Sequence, residues 1–318
     1  MKNNGRFYTA LLSLFIAAAF LPLFSCASSR EAARAEEYFS IGMAYFDLGK
    51  YAEAERWLSR ARAADRTMTA SSYNLGRIAF ETGRYEEAAR HFERVLDRDP
   101  DNVMALKAAA FSRIKNGDLA QAEVLYNRVL ALVPESADDG FNYALVLYGL
   151  NKYNSCEDVL NRYPHALEEN SLSLLLLARA QKAQNKIEAA DSYAKWLIVH
   201  TGTANPQGLF EYAQVLESAG LYVRAIEQYK AAIGALPKDT DELKKSTLRY
   251  EQARLYLIAD PESADGIKEL STAINEGFSN VAALEYLLLD ERISDANRIE
   301  IRALIDGIVN KTAAEKTG

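Results

Sequence analysis

Apolar residues recur at three- and four-residue steps along most of the chain, which is the spacing of one face of an α-helix. In the stretch RYEEAARHFERVLDRD, Tyr85, Ala88, Phe92 and Val95 fall on one such face. A second periodic stretch, SSYNLGRIAFE, precedes it, and a Thr-Gly pair separates the two. The pattern therefore predicts two helices joined by a short turn, each with one apolar side.

The pattern that predicts this helical pair occurs six times in the sequence. Stretches of this form begin at positions spaced 34, 34, 34, 34 and 35 residues apart, namely Gly49, Gly83, Gly117, Asn151, Asn185 and Gly220. Glycine, and after it asparagine, most readily adopts the left-handed conformation in which many helices end, so we expect a tight turn at each position. One helical pair cannot bury its apolar face alone, and neighbouring copies must therefore stack.

This pattern resembles the tetratricopeptide repeat, a helix-turn-helix unit that is also 34 residues long. In the second copy the matching residues are Leu75, Gly76, Phe80, Gly83, Tyr85, Ala88, Phe92 and Pro100. The resemblance implies an all-α fold: a right-handed superhelical solenoid of about seven helix-turn-helix units with a C-terminal helical cap.

The phase of the repeat sets the expected boundaries. Six repeats are predicted at residues 35–68, 69–102, 103–136, 137–170, 171–204 and 206–239. A degenerate seventh pair is expected at 240–278, with its first helix lengthened by the preceding segment. Two helices at 279–310, with Ser294 as an N-cap, are expected to cover the last apolar face, and residues 311–318 to form a flexible tail.

Small residues occupy the points where helices are expected to cross closely. These repeat-packing positions are Gly42, Ala54, Gly76, Ala88, Ala122, Cys156, Ala190 and Ala225. Because free cysteine behaves as a small hydrophobe, we interpret Cys156 as a packing residue and not as a redox centre.

The first 25 residues have a different character. Lys2 and Arg6 precede an apolar run that is too short to span a bilayer comfortably, which is the order of a secretory signal. The sequence Leu-Phe-Ser-Cys, ending at Cys26, resembles the lipobox of bacterial lipoproteins and implies lipidation of Cys26, followed by a tether at 26–34. An ordinary cleaved signal peptide and an uncleaved anchor are the alternatives. The resemblance implies a lipid-anchored, periplasm-facing envelope protein, and Ala27 favours the outer membrane where the host has one.

Charge and motif content narrow the function. The chain has 37 basic and 44 acidic residues and no lysine- or arginine-rich run, so nucleic acid and anionic lipid surfaces are poor partners. The three histidines are scattered, and phosphate-loop and nucleophile-elbow motifs are absent. The acidic stretch at 97–102 lacks the glycine and glutamate of a calcium loop. We therefore expect neither an enzyme nor a bound metal or cofactor.

In tetratricopeptide arrays the first helix of each repeat lines a concave groove, and the resemblance implies partner-groove positions here. They are Phe39, Met43, Tyr73, Arg77, Lys107, Phe111, Phe141, Leu145 and Phe210. Of the positions with which chaperone-binding members grip acidic tails, only Asn74 matches, so a hydrophobic segment or an amphipathic helix is the expected ligand. The prediction is a membrane-anchored scaffold for other proteins, such as envelope assembly or transport components. The alternative is a transport-accessory or solute-binding lipoprotein that holds a small hydrophobic ligand or a transporter subunit.

Overall fold

A computed structural model describes residues 30–199 and 205–317. Every regular element in these two ranges is a helix. The predicted signal peptide and Cys26 lie outside the described residues, and the first helix, α1, already includes residue 30.

The chain divides into two compact units, Met1–Asn151 and Lys152–Gly318. The described part of the first compact unit contains α1 at 30–47, α2 at Tyr51–Ala64, α3 at Thr69–Glu81, α4 at Tyr85–Leu96, α5 at Val103–Lys115, α6 at Leu119–Leu132 and α7 at Ala137–Gly149. Buried side chains join α2 to α3 around Leu58 and Ile78, and a second cluster runs from α3 to α7. Successive helical pairs therefore share a core, as the repeat pattern requires.

The second compact unit continues the series. Its described part contains α8 at Tyr153–Leu160, α9 at Pro164–Glu169, α10 at Ser171–Ala183, α11 at Ala189–Val199, α12 at Pro206–Ser218, α13 at Tyr222–Ala235, α14 at Lys245–Ala259, α15 at Ala264–Asn275, α16 at Val281–Leu287 and α17 at Asp295–Thr317. One buried cluster runs from α10 to α14, and another joins α14 and α15 to α16 and α17. The last two helices thus cover the apolar side of the seventh pair.

The predicted turn residues adopt the left-handed conformation. The angle φ is +69° at Gly49, +76° at Gly83, +82° at Gly117, +73° at Gly220, +58° at Asn151 and +56° at Asn185. In the second repeat the amide of Gly83 donates to the carbonyl of Phe80 at 3.0 Å, and the amide of Arg84 to the carbonyl of Ala79 at 2.8 Å. This pair of bonds closes a Schellman motif, which satisfies carbonyls at the end of α3.

The small packing positions are buried in most repeats. Ala54, Ala88, Ala122, Cys156 and Ala225 are fully buried, and Gly42 and Gly76 are also inside. The fifth repeat differs, because Ala190 is half-buried while Ala189 is fully buried. There α11 begins only at Ala189, and its core face passes through Tyr193 and Trp196, one residue earlier than the repeat phase predicts.

The second helix of the fourth repeat is short. It ends at Leu160, and Pro164, at the first position of α9, begins a separate helix of six residues. Proline suits that position because an amide hydrogen at the start of a helix has no acceptor within the helix, so its absence in proline costs nothing.

Two expectations for the C-terminal third are wrong. The segment before α14 does not lengthen it, because Thr240 Oγ1 accepts from the amide of Leu243 and Asp239 accepts from that of Lys245, which holds the segment outside the helix. The expected flexible tail is instead the end of α17, which continues to Thr317. Its alanine, lysine and glutamate content favours a helix. The N-cap prediction is confirmed, since Ser294 Oγ accepts from the amide of Asn297 at 3.3 Å.

Candidate partner-binding face

Side chains join the first helices of successive repeats in the first compact unit. The guanidinium of Arg77 on α3 lies over the ring of Phe46 on α1, 4.4 Å from its centroid. The ring of Phe80 on α3 stacks on that of Phe111 on α5, with centroids 5.3 Å apart. We call the surface formed by Phe46, Tyr73, Arg77, Phe80 and Phe111 the aromatic face.

A shallow hollow of about 140 Å³ lies in the aromatic face between α3 and α5. It is lined by Tyr73, Arg77, Phe80, Glu81, Phe92, Ala108 and Phe111. Small-molecule sites usually have volumes of roughly 300–1,000 Å³. This hollow therefore suits one apolar side chain of a partner better than a metabolite.

The two aromatic residues predicted to line the groove on α3 and α5 are not equivalent. Phe111 is 46% exposed, and the ammonium of Lys115 lies 5.5 Å from its ring centroid. Tyr73 is half-buried, and its ring packs edge-on against that of the core residue Phe92, with centroids 5.2 Å apart. Phe111 therefore presents its ring to solvent, whereas Tyr73 also stabilises the fold.

The other apolar residues predicted to line the groove also differ in how far they are buried. Phe39 and Met43 on α1 are half-buried and pack against the cluster around Leu58 and Ile78. On α7, Phe141 is half-buried and Leu145 is 44% exposed. Phe210 belongs to the second compact unit, where its ring lies 6.0 Å from that of Tyr229.

Lys107 on α5 is engaged within the protein. Its Nζ lies 2.7 Å from Oδ1 of Asp139 on α7, a carboxylate that is 3% exposed. The other oxygen of Asp139 accepts from the hydroxyl of Ser136 at 2.7 Å. Lys107 thus compensates a buried charge and links two first helices.

Arg77 is the cation of the aromatic face that remains accessible. Its side chain is exposed, and one guanidinium nitrogen donates to Oδ1 of Asn74 at 3.0 Å. That bond and the ring of Phe46 fix its position, so Arg77 presents an oriented guanidinium beside the hollow.

The potentially reactive side chains have structural surroundings. Cys156 is a buried free thiol, and burial raises its pKa to about 12. His91 is also buried, and desolvation together with the charges of Arg94 and Arg62 lowers its pKa to about 4. Among the described residues there is no cluster of three or more histidine, cysteine or acidic side chains able to hold a metal. None of the helices in residues 30–199 and 205–317 has the length and apolar character needed to cross a bilayer.

The sequence pattern did not indicate a basic hollow of about 440 Å³ between α2 and α4. We call it the arginine hollow, since Arg62, Arg66, Arg94 and Arg98 line it. The signal was available in the sequence: two arginines four residues apart recur 32 residues later, close to one repeat period.

Stacked helical hairpins, left-handed turn residues and aromatic side chains on the first helices define an α-helical repeat protein. The chain belongs to the tetratricopeptide repeat family, whose model matches residues 39–103, 73–137 and 175–240, together more than half of the chain. A second model, described as anaphase-promoting complex, cyclosome, subunit 3, matches residues 115–196. Tetratricopeptide repeat proteins generally bind other proteins.

The individual proteins similar to this chain include a lipoprotein and two tetratricopeptide repeat proteins of known structure. An uncharacterized lipoprotein of Treponema pallidum is 26% identical over 187 residues, which are 59% of this chain and 93% of that protein. A tetratricopeptide repeat protein from Parabacteroides merdae superposes with a TM-score of 0.53 at 18% identity, over 80% of this chain and 98% of that one. YrrB, described as a TPR protein with an unusual peptide-binding site, has a TM-score of 0.50 at 15% identity, over 57% and 92% of the two chains.

Proposed function

We propose that this chain is a lipid-anchored, non-enzymatic scaffold of the bacterial cell envelope that binds other proteins through the aromatic face. The observation that carries the proposal is Phe111, a ring 46% exposed at the edge of an apolar hollow, with the oriented guanidinium of Arg77 beside it. Exposed aromatic rings next to arginine are the composition of interaction hot spots.

The partner we propose is a hydrophobic segment or an amphipathic helix. The hollow has room for one apolar side chain, and Arg77 and Glu81 supply one charge of each sign at its lining. A helix that places one apolar anchor in the hollow can pair its polar flanks with these two charges. The peptide-binding site in the description of YrrB supports a ligand of this kind.

The proposed anchor is Cys26, which would be lipidated after signal cleavage. Its support is the lipobox-like sequence that ends at Cys26, together with the lipoprotein description of the Treponema pallidum relative. Two or more acyl chains give stable attachment, whereas one chain does not. The four residues 26–29 reach at most about 14 Å at full extension, so the partners would lie close to the membrane. Ala27 favours the outer membrane.

A position-specific crosslinking experiment tests the aromatic face. The full chain would carry a photoreactive phenylalanine analogue in place of Phe111 or, as a matched control, in place of Val124, an exposed apolar residue on the second helix α6. We expect a protein adduct in intact cells from position 111 and none from 124. Adducts of equal yield from both positions would count against the aromatic face.

The anchor has a separate test. Cys26→Ser should abolish labelling with a fatty-acid probe and release the chain from the membrane fraction, while an intact aromatic face still crosslinks purified partner. Unchanged labelling in the Cys26→Ser chain would refute lipidation without affecting the binding proposal.

A second candidate function is the binding of a small hydrophobic ligand in the second compact unit. A hollow of about 390 Å³ there is lined largely by apolar side chains, including Leu167, Leu174, Leu177 and Ile198. A ligand of this hollow must raise the melting temperature of the full chain, because it stabilises the folded state by RT ln(1 + [L]/Kd). A panel of fatty acids and isoprenoids that leaves the melting temperature unchanged would remove this candidate.

A further inference from the structure

Four arginines line the arginine hollow from the C-terminal ends of the second helices of two consecutive repeats. Arg62 lies in the last turn of α2 and Arg66 in the turn that follows, while Arg94 and Arg98 take the corresponding places at the end of α4. The rest of the lining consists of the small or hydroxyl residues Ser59, Ala63, Thr69 and Ser72 and one acid, Asp97. The hollow is thus strongly basic, although the whole chain has a formal net charge of −7.

These four arginines lack the carboxylate partners that Arg84 and Arg113 of the same compact unit have. Arg84 binds Glu55 at 2.7 Å, and Arg113 binds Glu86 at 2.7 Å. By contrast, no ion pair within residues 30–199 and 205–317 involves any of the four arginines of the hollow. A nearby carboxylate, Asp65, accepts instead from the amide and hydroxyl of Thr67.

The arrangement has an electrostatic cost in the absence of an anion. Burial and the charge of Arg94 together lower the pKa of Arg62. Such a depression means that the surroundings disfavour the charged guanidinium, and a bound anion would reverse that effect. The repulsion therefore favours a ligand of the opposite sign.

Two further contacts prepare the hollow for an anion. Arg94 is oriented by His91, because one guanidinium nitrogen donates to Nδ1 of the neutral, buried imidazole at 3.1 Å. Ser72, which is 7% exposed, also lines the hollow. Its hydroxyl is a hydrogen-bond donor at the lining, from which an anion in the hollow can accept.

We propose that the arginine hollow binds a phosphate-bearing anion, supplied either by a phospholipid headgroup or by a soluble phosphate compound. Guanidinium groups bind phosphate oxygens through pairs of parallel hydrogen bonds. Four positive charges exceed what one carboxylate would neutralise, and they suit an anion with two negative charges. A hollow of about 440 Å³ has room for more than the phosphate group alone. The four arginines lie at or just after the ends of second helices and are not part of the aromatic face, and the proposal replaces the expectation that anionic surfaces are poor partners.

Arginine footprinting on the full chain tests the proposal and separates the two sources. Phenylglyoxal modifies accessible guanidinium groups, and mass spectrometry gives the rate at each arginine. The chain would be labelled in neutral detergent with and without inorganic pyrophosphate, and in phosphatidylcholine vesicles with and without phosphatidylglycerol. Arg56 and Arg90 are internal controls, because they are exposed on the same two helices and do not line the hollow.

Each outcome decides the question. Slower labelling of Arg66, Arg94 and Arg98 with pyrophosphate, and unchanged labelling of Arg56 and Arg90, would assign a soluble phosphate ligand. The same selective protection only in vesicles containing phosphatidylglycerol would assign a lipid headgroup. Equal rates in all conditions, or equal protection of Arg56 and Arg90, would overturn the proposal.

Paired variants give an independent readout. Arg62→Gln/Arg94→Gln should raise the pyrophosphate concentration needed to protect Arg98 by at least about tenfold, since the anion would lose two charge-assisted hydrogen-bond donors. Arg56→Gln/Arg90→Gln removes the same charge from the same helices and should leave that concentration unchanged. Circular dichroism would establish that both variants keep their helices.

Discussion

Gly76 on α3 lies directly against the ring of Phe92 on α4, so that a Cβ added at Gly76 would come within 2.8 Å of Cε1 of Phe92. Phe92 is 2% exposed and belongs to the buried cluster that runs from α3 to α7, so a shift of its ring would disturb close-packed neighbours. One repeat earlier, Gly42 stands against Leu58 in the same way, with Cγ at 2.7 Å from the added atom. These contacts set how closely the two helices of a repeat cross.

Gly76→Ala should therefore destabilise the protein, although alanine is the better helix former. Overpacking of a filled core typically costs about 1–3 kcal/mol, which outweighs the gain of roughly 0.5–1 kcal/mol in helix propensity. Chemical denaturation of the full chain, monitored by circular dichroism, measures the change in the free energy of unfolding.

The matched control is Gly234→Ala in α13. Nothing lies within 4 Å of a Cβ added there, so only the propensity gain should remain and this variant should be neutral or slightly more stable. If both variants change the free energy of unfolding alike, close packing at Gly76 is not the cause.

Much of the fold could be predicted because period and turn chemistry are local. The left-handed turns at Gly83 and Asn185 follow from residue type and spacing, and both are present. The register of α11 could not be predicted in this way. The core there takes up Tyr193 and Trp196, with Gly208 opposite the indole, and this packing overrides the repeat phase that pointed to Ala190.

The candidate site could be predicted only in part from the sequence, for a related reason. The repeat phase identifies which side chains share a face, but not how far each one is buried. Tyr73 and Phe111 both lie on first helices, yet Tyr73 is half-buried against a core ring while Phe111 is 46% exposed. The partner of Lys107, Asp139, lies 32 residues away on another helix, a relationship that a linear pattern does not reveal.

The ion pair between Lys107 and Asp139 leads to a second prediction. Lys107→Met would leave a buried carboxylate without its cation, and we expect a loss of about 1–3 kcal/mol in the free energy of unfolding. A role in partner binding alone would leave the stability unchanged. The double variant Lys107→Met/Asp139→Asn removes both charges and should recover part of the loss. A double variant whose loss equals the sum of the two single losses would show that the pair is not coupled.

The turn residues lead to a third prediction. Gly83 has φ of +76°, where a Cβ is strained, so Gly83→Ala should cost about 1–2 kcal/mol although no atom lies within 4 Å of the added carbon. Asn185 already occupies the same conformation with a side chain, and Asn185→Gly should be close to neutral because relief of strain offsets the added flexibility of the unfolded chain. Thermal unfolding of the two variants beside the parent distinguishes this backbone effect from packing. A Gly83→Ala chain as stable as the parent would contradict it.

The buried imidazole of His91 should make stability depend on pH in a defined window. Its pKa falls from the ordinary value of 6.5 to about 4, chiefly because burial disfavours the charged form and Arg94 and Arg62 repel it. Between these two values the unfolded chain binds a proton that the folded chain does not, so the free energy of unfolding must decrease as pH falls from about 6.5 towards 4. The shift sets an upper limit of about 3 kcal/mol on this loss.

His91→Gln should flatten that part of the profile, whereas His165→Gln, which alters a histidine whose side chain is 94% exposed, should leave it intact. Urea denaturation at half-unit pH steps gives the three profiles. If the His91→Gln profile keeps the full slope of the parent, another group is responsible for the acid sensitivity.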